Sequence, residues 1–291
     1  MMITDKIINL LVVITLAEMM ITLGMSLTVN ELTAITRDRK LLAKAVLANY
    51  LCVPAAAVGL LLFFRVQSMA AAGILILAVC PGGPYGPPCT AIAKGNVSIS
   101  VGLMVVLAGS SAIMAPLLLP PLVSLVAGEG VLQISGFKIL MALLASQLLP
   151  LCGGLMLRHK RPVLAERLFK PAERLSMILN VLTCGVVLVV QFQLLREIPV
   201  VVYVTMLALL LVSFGTGWSW GGAGSANRRT MTLVTSVRNV AVSLAIVTRN
   251  FPGTSAVSVA LAYGVFQILG SLLLAVWWGR RSIEGAESLP R

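Results

Sequence analysis

Charge is what this sequence has least of. Only 11% of its 291 residues are Asp, Glu, Lys or Arg, where an average soluble domain carries roughly 25%. Acidic residues are scarcest, ten against 22 Lys and Arg, which leaves a net charge of +12. Histidine occurs once, as His159 in a basic stretch, and Cys52, Cys80, Cys89, Cys152 and Cys184 never fall in a C-x-x-C spacing. A zinc site, a redox pair and a disulfide scaffold therefore find no support, and no metal or cofactor is expected. Neither H-E-x-x-H nor a nucleophile–base–orienter group is present. Gly221-Gly-Ala-Gly224 also lacks the Lys-Ser/Thr that a phosphate loop needs. These deficits exclude a disordered chain and an ordinary soluble enzyme.

Apolar residues fill the gap: 58% of the chain, with a mean hydropathy of +0.99. Nine segments are long and apolar enough for transmembrane helices: 7–27, 41–64, 69–93, 97–119, 139–157, 175–195, 199–220, 227–248 and 254–278. The first is too long for a signal-peptide core and reads as a retained span. No linker between them exceeds about 20 residues, so a single all-α polytopic membrane domain over 1–291 is expected, with 279–291 as a cytoplasmic tail. The excess positive charge sits in short clusters between the spans, the pattern of cytoplasmic loops and not of a nucleic-acid surface. With the N-terminus outside, sixteen basic residues, from Arg37 to Arg291, fall on the cytoplasmic side and five outside. That bias predicts N-terminus out and C-terminus in, in the plasma (inner) membrane.

Two spans are interrupted. In the third, Pro81, Gly82, Gly83, Pro84, Gly86, Pro87 and Pro88 crowd into eight positions. Each proline removes an N–H and clashes with the preceding turn. The result is unwound backbone, tolerated at membrane depth only where protein or a wet cavity satisfies it. The eighth span is polar at its middle, through Thr235, Ser236, Arg238 and Asn239. Two interrupted helices running in opposite directions mark an inverted-repeat secondary transporter. Residues 1–126 would be a first half lacking its opening helix, and 138–278 the second half.

Several motifs resemble the bile acid:sodium symporter family. They are Leu23-Gly-Met-Ser-Leu27, Ala48-Asn49-Tyr50 before Pro54, Cys80-Pro-Gly-Gly83, Ala93-Lys-Gly-Asn-Val97 followed by Ser100, and Arg229-Thr230 before Asn239. The last helix, ending near Gly270, fits the same pattern. The resemblance implies nine or ten helices in a panel and a core domain, two of them broken and crossing near the middle. It also implies sodium ligands, and here the sequence departs. Gly86 and Pro87 stand where the family has Ser-Asn, and Asn49 stands for glutamine. Ser100 is kept, but Met104 replaces a hydroxyl residue one turn later. Val234, Ser236, Arg238 and Asn239 occupy the family's E-x-G-x-Q-N. Usual sodium coupling is therefore not carried over.

Arg238 is the residue on which a functional reading turns. An arginine stays charged in a protein, and its insertion near the bilayer centre costs about 2.5–3.5 kcal/mol. Its planar fork suits a carboxylate or sulfonate, so a small organic anion is the expected substrate, carried by alternating access. A structural ion pair pinning the crossing is the alternative. Substrate contacts are expected from Arg238, Asn239, Gln267, Pro81, Gly82, Gly83, Gly86, Thr235 and Ser236, with Ser243 as a further neutral candidate. Coupling candidates are Glu18, Asn49 and Ser100. Glu18 reads as a proton-coupling carboxylate, a partner of Arg238 or a tie to a neighbouring helix. Beyond the substrate, the expected partner is the bilayer; a homodimer is left open. Pro88-Cys89-Thr90-Ala91 resembles the cysteine-bearing broken helix of arsenite permeases, which makes metalloid efflux the alternative function. No acidic residue stands in the later broken helix, as it does in those proteins.

Overall fold

The computed structural model describes residues 2–26, 38–127 and 135–287. Leu27, Arg37 and Arg291, used in the readings above, lie outside the described residues. Every regular element among the described residues is helical, because only a helix satisfies its own backbone within lipid at this length. Among the described residues, seven helices are long and apolar enough to cross a membrane. They are α1 (Met2–Met25), α2 (Arg39–Phe63), α4 (Val97–Ala127), α5 (Gly136–Lys160), α6 (Pro162–Val190), α7 (Val200–Trp220) and α9 (Ser255–Glu287). The other two expected segments are each divided into short pieces. α3a (Ser68–Ala78) and α3b (Gly86–Ile92) flank the proline cluster, and α8a (Ser225–Ser236) and α8b (Val240–Asn250) flank Arg238.

Helix limits differ from hydropathy limits where charge enters the helix. α6 begins at Pro162, not at 175, so Arg167, Lys170 and Arg174 are helical. At 29 residues it is roughly 44 Å long, more than the roughly 30 Å hydrocarbon layer. The excess length leaves room for its charged first turns outside the hydrocarbon. The ion pair Arg158–Glu166, at 3.9 Å, links that end to α5. The expected tail at 279–291 likewise continues α9 as far as Glu287.

α1, α5 and α6 pack on one another and meet the rest through α8b, α4 and α9. The remaining helices form a larger body in which α3a lies against α9 and α4, α8a against α7, and α8b against α9. Two helices carry a π turn: Ala48–Cys52 in α2 and Leu144–Leu148 in α5. Each is followed within two residues by a proline, Pro54 and Pro150. In both, the turn leaves a carbonyl whose partner five residues on is that proline, which has no N–H.

Candidate functional site

The two breaks touch. Pro81 and Arg238 form an isolated antiparallel bridge, so the chain passes the contact in opposite directions. Asn239 N–H donates to the Cys80 carbonyl at 2.8 Å, and Gly83 N–H to the Val237 carbonyl at 3.3 Å. Glycine is required here for access. Gly82 has φ +81°, and a Cβ on it would strike Ala108 N and Met104 O of α4. A Cβ on Gly83 would strike the Arg238 carbonyl. Asn239 then starts α8b, its Oδ1 accepting from Val242 N–H at 3.2 Å while its Nδ2 donates to the Gly82 carbonyl at 3.4 Å. The unwound backbone is thus satisfied by the partner break and by a cap.

Arg238 is 1% exposed. Gln267 of α9 holds its backbone on both sides: Arg238 N–H donates to Oε1 at 3.1 Å, and Nε2 donates to the Arg238 carbonyl at 3.2 Å. Its Nη1 donates to the Asn49 carbonyl at 3.5 Å. That oxygen is the one left free by the π turn and Pro54 of α2. Nη2 is buried with no hydrogen-bond partner, as are Asn49 Oδ1 and Thr235 Oγ1. Among the described residues no carboxylate pairs with Arg238; the only ion pair is Arg158–Glu166. The reading of Arg238 as half of an ion pair is corrected accordingly.

Of the other expected residues, Asn49, Thr235, Ser236, Asn239 and Gln267 are all buried. Ser236 Oγ shares a hydrogen bond with Ser271 Oγ at 3.0 Å, tying α8a to α9. Ser100 of α4 faces α3b, hydrogen-bonded to Thr90 Oγ1 at 3.0 Å; Thr90 also donates to the Gly86 carbonyl at 2.9 Å. Glu18 is not brought to the crossing. Its two oxygens accept from Thr22 Oγ1 at 2.9 Å and from Ser176 Oγ at 2.5 Å, so it ties α1 to α6 and is no partner of Arg238. Cys89 packs with Ala93, Leu233 and Ala275. The motifs that carry the family resemblance meet across the fold. Arg229 Nη1 donates to the Ala93 carbonyl at 2.9 Å, and Asn96 N–H donates to Thr230 Oγ1 at 2.8 Å.

A cavity of about 430 Å³ lies elsewhere, between α1, α5 and α8b. Its wall is mostly apolar, through residues such as Val13, Ile139, Leu143 and Ile246, with Ser146, Arg249 and Asn250 as its polar groups. Arg249 is exposed and has no polar partner among the described residues. Arg238 does not line this cavity. Sequence reasoning placed Arg249 only among the five basic residues on the outer side and missed the cavity, since its wall is assembled from segments far apart in the chain. It also missed Gln147. That side chain, in the π turn of α5, donates to the Ala108 carbonyl and to Ser111 Oγ (2.8 Å), just behind the Gly82 contact. The polar residue beside a proline in an apolar run was the available signal.

Comparison with known proteins agrees with these features. The probable sodium/metabolite cotransporter BASS2 of rice chloroplasts is 24% identical over 278 residues, which is 92% of this chain and 64% of the rice protein. The uncharacterized sodium-dependent transporter YocS of Bacillus subtilis is 23% identical, over 93% of this chain and 83% of its own length. Human sodium/bile acid cotransporter 4 is 26% identical, over 89% of this chain and 61% of its own length. This chain thus spans just under two thirds of the rice and human relatives. These relatives are transporters and not enzymes. The profile of the sodium bile acid symporter family matches residues 13–198, and with the crossed breaks in place the chain belongs to that family of membrane transporters.

Proposed function

We propose that the chain is a secondary carrier of small organic anions that works by alternating access and does not couple to sodium in the usual way. The observation that carries this reading is the guanidinium of Arg238, held at the contact of two broken helices without an acidic partner among the described residues. A positive group fixed in a dry interior favours a negative solute and disfavours a neutral one. The cavity between α1, α5 and α8b supports it, being mostly apolar with one cation in its wall, Arg249, that has no polar partner among the described residues. At about 430 Å³ it falls within the usual range of small-molecule sites. In this reading the anion enters there, with Arg249 as its first contact, and passes the crossing when the α1, α5, α6 group shifts against the larger body. Residues 1–126 and 138–278 are read as inverted repeats, with the N-terminus outside and the C-terminus in the cytoplasm.

Uptake into proteoliposomes tests the reading. Labelled monocarboxylates, dicarboxylates and sulfonates are compared with their neutral amides. At least one anion is expected to accumulate or exchange, and its amide is not. Transport of amides with no anion transported would refute it. With the anion so found, Arg249→Gln is expected to raise KM about tenfold with little change in kcat, the signature of lost uniform binding.

A further inference from the structure

We infer that Arg238 is a resident cation that replaces a bound sodium ion at the crossing, so that this carrier neither binds nor requires sodium. The inference rests on the organic-anion reading above and goes further, assigning the coupling chemistry of the same site. Three observations carry it.

The first is that the charge is fixed in place. The backbone of Arg238 is bridged to Pro81, and Gln267 holds it from both sides, so its Cα stays at the crossing unless the crossing itself comes apart, and the residue is buried there. The second is that the fold provides a seat for it. The π turn Ala48–Cys52 and Pro54 leave the Asn49 carbonyl without a helical donor, and Arg238 Nη1 donates to that oxygen. π turns within α-helices are frequent at functional sites, and here the irregularity supplies an oxygen ligand to a guanidinium. The third is that this charge is uncompensated. No carboxylate among the described residues pairs with it, and Nη2 is buried without a partner.

A sodium ion entering the same enclosure would meet a permanent like charge with water excluded. The buried side-chain oxygens without a hydrogen-bond partner in this part of the fold are Asn49 Oδ1, Thr235 Oγ1 and Gln147 Oε1, the last behind the Gly82 contact. A hard cation takes about six oxygens, and three neutral ones, spread over three helices beside a guanidinium, do not make such a site. The free Nη2 donor is instead suited to an acceptor on an anion. On this inference the chain differs from the relatives named for sodium dependence in carrying its positive charge as a side chain.

The test uses the full chain in lipid nanodiscs and radioactive sodium, read by scintillation proximity in choline buffer. No saturable sodium signal is expected; saturable binding that unlabelled sodium displaces would overturn the inference. In proteoliposomes, exchanging sodium for choline at constant ionic strength is expected to leave uptake of the transported anion unchanged, and an uptake loss of about tenfold or more would overturn it. Arg238→Lys keeps the charge and is expected to keep sodium-independent uptake. Arg238→Gln is expected to lose uptake by about tenfold or more, as for a hydrogen bond to a charged group, and wild-type uptake by that variant would also overturn the proposal. The sodium-binding measurement needs neither a known substrate nor a variant. If no anion is transported, the functional reading fails and that measurement still decides this one.

Discussion

Gly83 and Arg238 can be neighbours because one of them has no side chain. A Cβ at Gly83 would lie on the Arg238 carbonyl, which is backbone and cannot rotate away. Gly83→Ala is therefore expected to cost about 1–3 kcal/mol, the range for overpacking a tight contact. Its signature would be a lowered melting temperature together with lost uptake; a wild-type melting temperature would contradict the close approach. The chemistry of Arg238 was legible in the sequence as a residue type, since an arginine amid apolar neighbours is conspicuous whatever surrounds it. Its surroundings were not legible. Gln267 stands 29 positions away and Asn49 stands 189 away, and only the packed helices bring them together. The same limit left three readings of Glu18 open, and its hydrogen bonds to hydroxyls on α1 and α6 favour the tie to a neighbouring helix over a pairing with Arg238. For sodium the consequence can be sized: two unit charges 4 Å apart repel by about 4 kcal/mol at an effective dielectric of 20. That is enough to empty a site by nearly three powers of ten.

At the scale of the helix, the two breaks were legible to different degrees for a physical reason. Proline and glycine forbid the helix through their own covalent structure, so the gap between α3a and α3b follows from residue identity alone. The gap between α8a and α8b contains neither. It is held open by the bridge to Pro81 and by the Asn239 cap, and the sequence shows only its polarity. The π turns were not read at all, because a single wide turn leaves no hydropathy signal; a proline two residues beyond is its faint trace. This gives a prediction about α2. Pro54→Ala returns an N–H to the position facing the Asn49 carbonyl and should draw that oxygen back into the helix, away from Arg238. The protein is expected to be at least as thermostable as wild type, with uptake reduced several-fold. Unchanged uptake would mean that the free carbonyl does not serve the guanidinium.

Over the whole molecule, hydropathy marked where helix lies because lipid imposes one rule on every segment, but among the described residues seven uninterrupted spans stand where nine were expected. It did not find which helices group together, since every apolar face suits lipid as well as protein. α6 illustrates this, burying only Ala165, Thr183 and Val187 among its described residues. The proposed orientation, in contrast, rests on the loops. The sixteen-to-five distribution of basic residues predicts that a reporter active only in the cytoplasm will work when fused after residue 291, and that one active only outside will be silent; the reverse result would invert the assignment. The bridge between Pro81 and Arg238 bears on motion at this scale. Two main-chain hydrogen bonds flank it, in a place where no solvent waits to replace them. The halves of the crossing are thereby riveted and must travel as one rigid cross. Conformational freedom is left to the seams around that cross, so freezing one of those seams should arrest turnover even though nothing at the rivet has been touched.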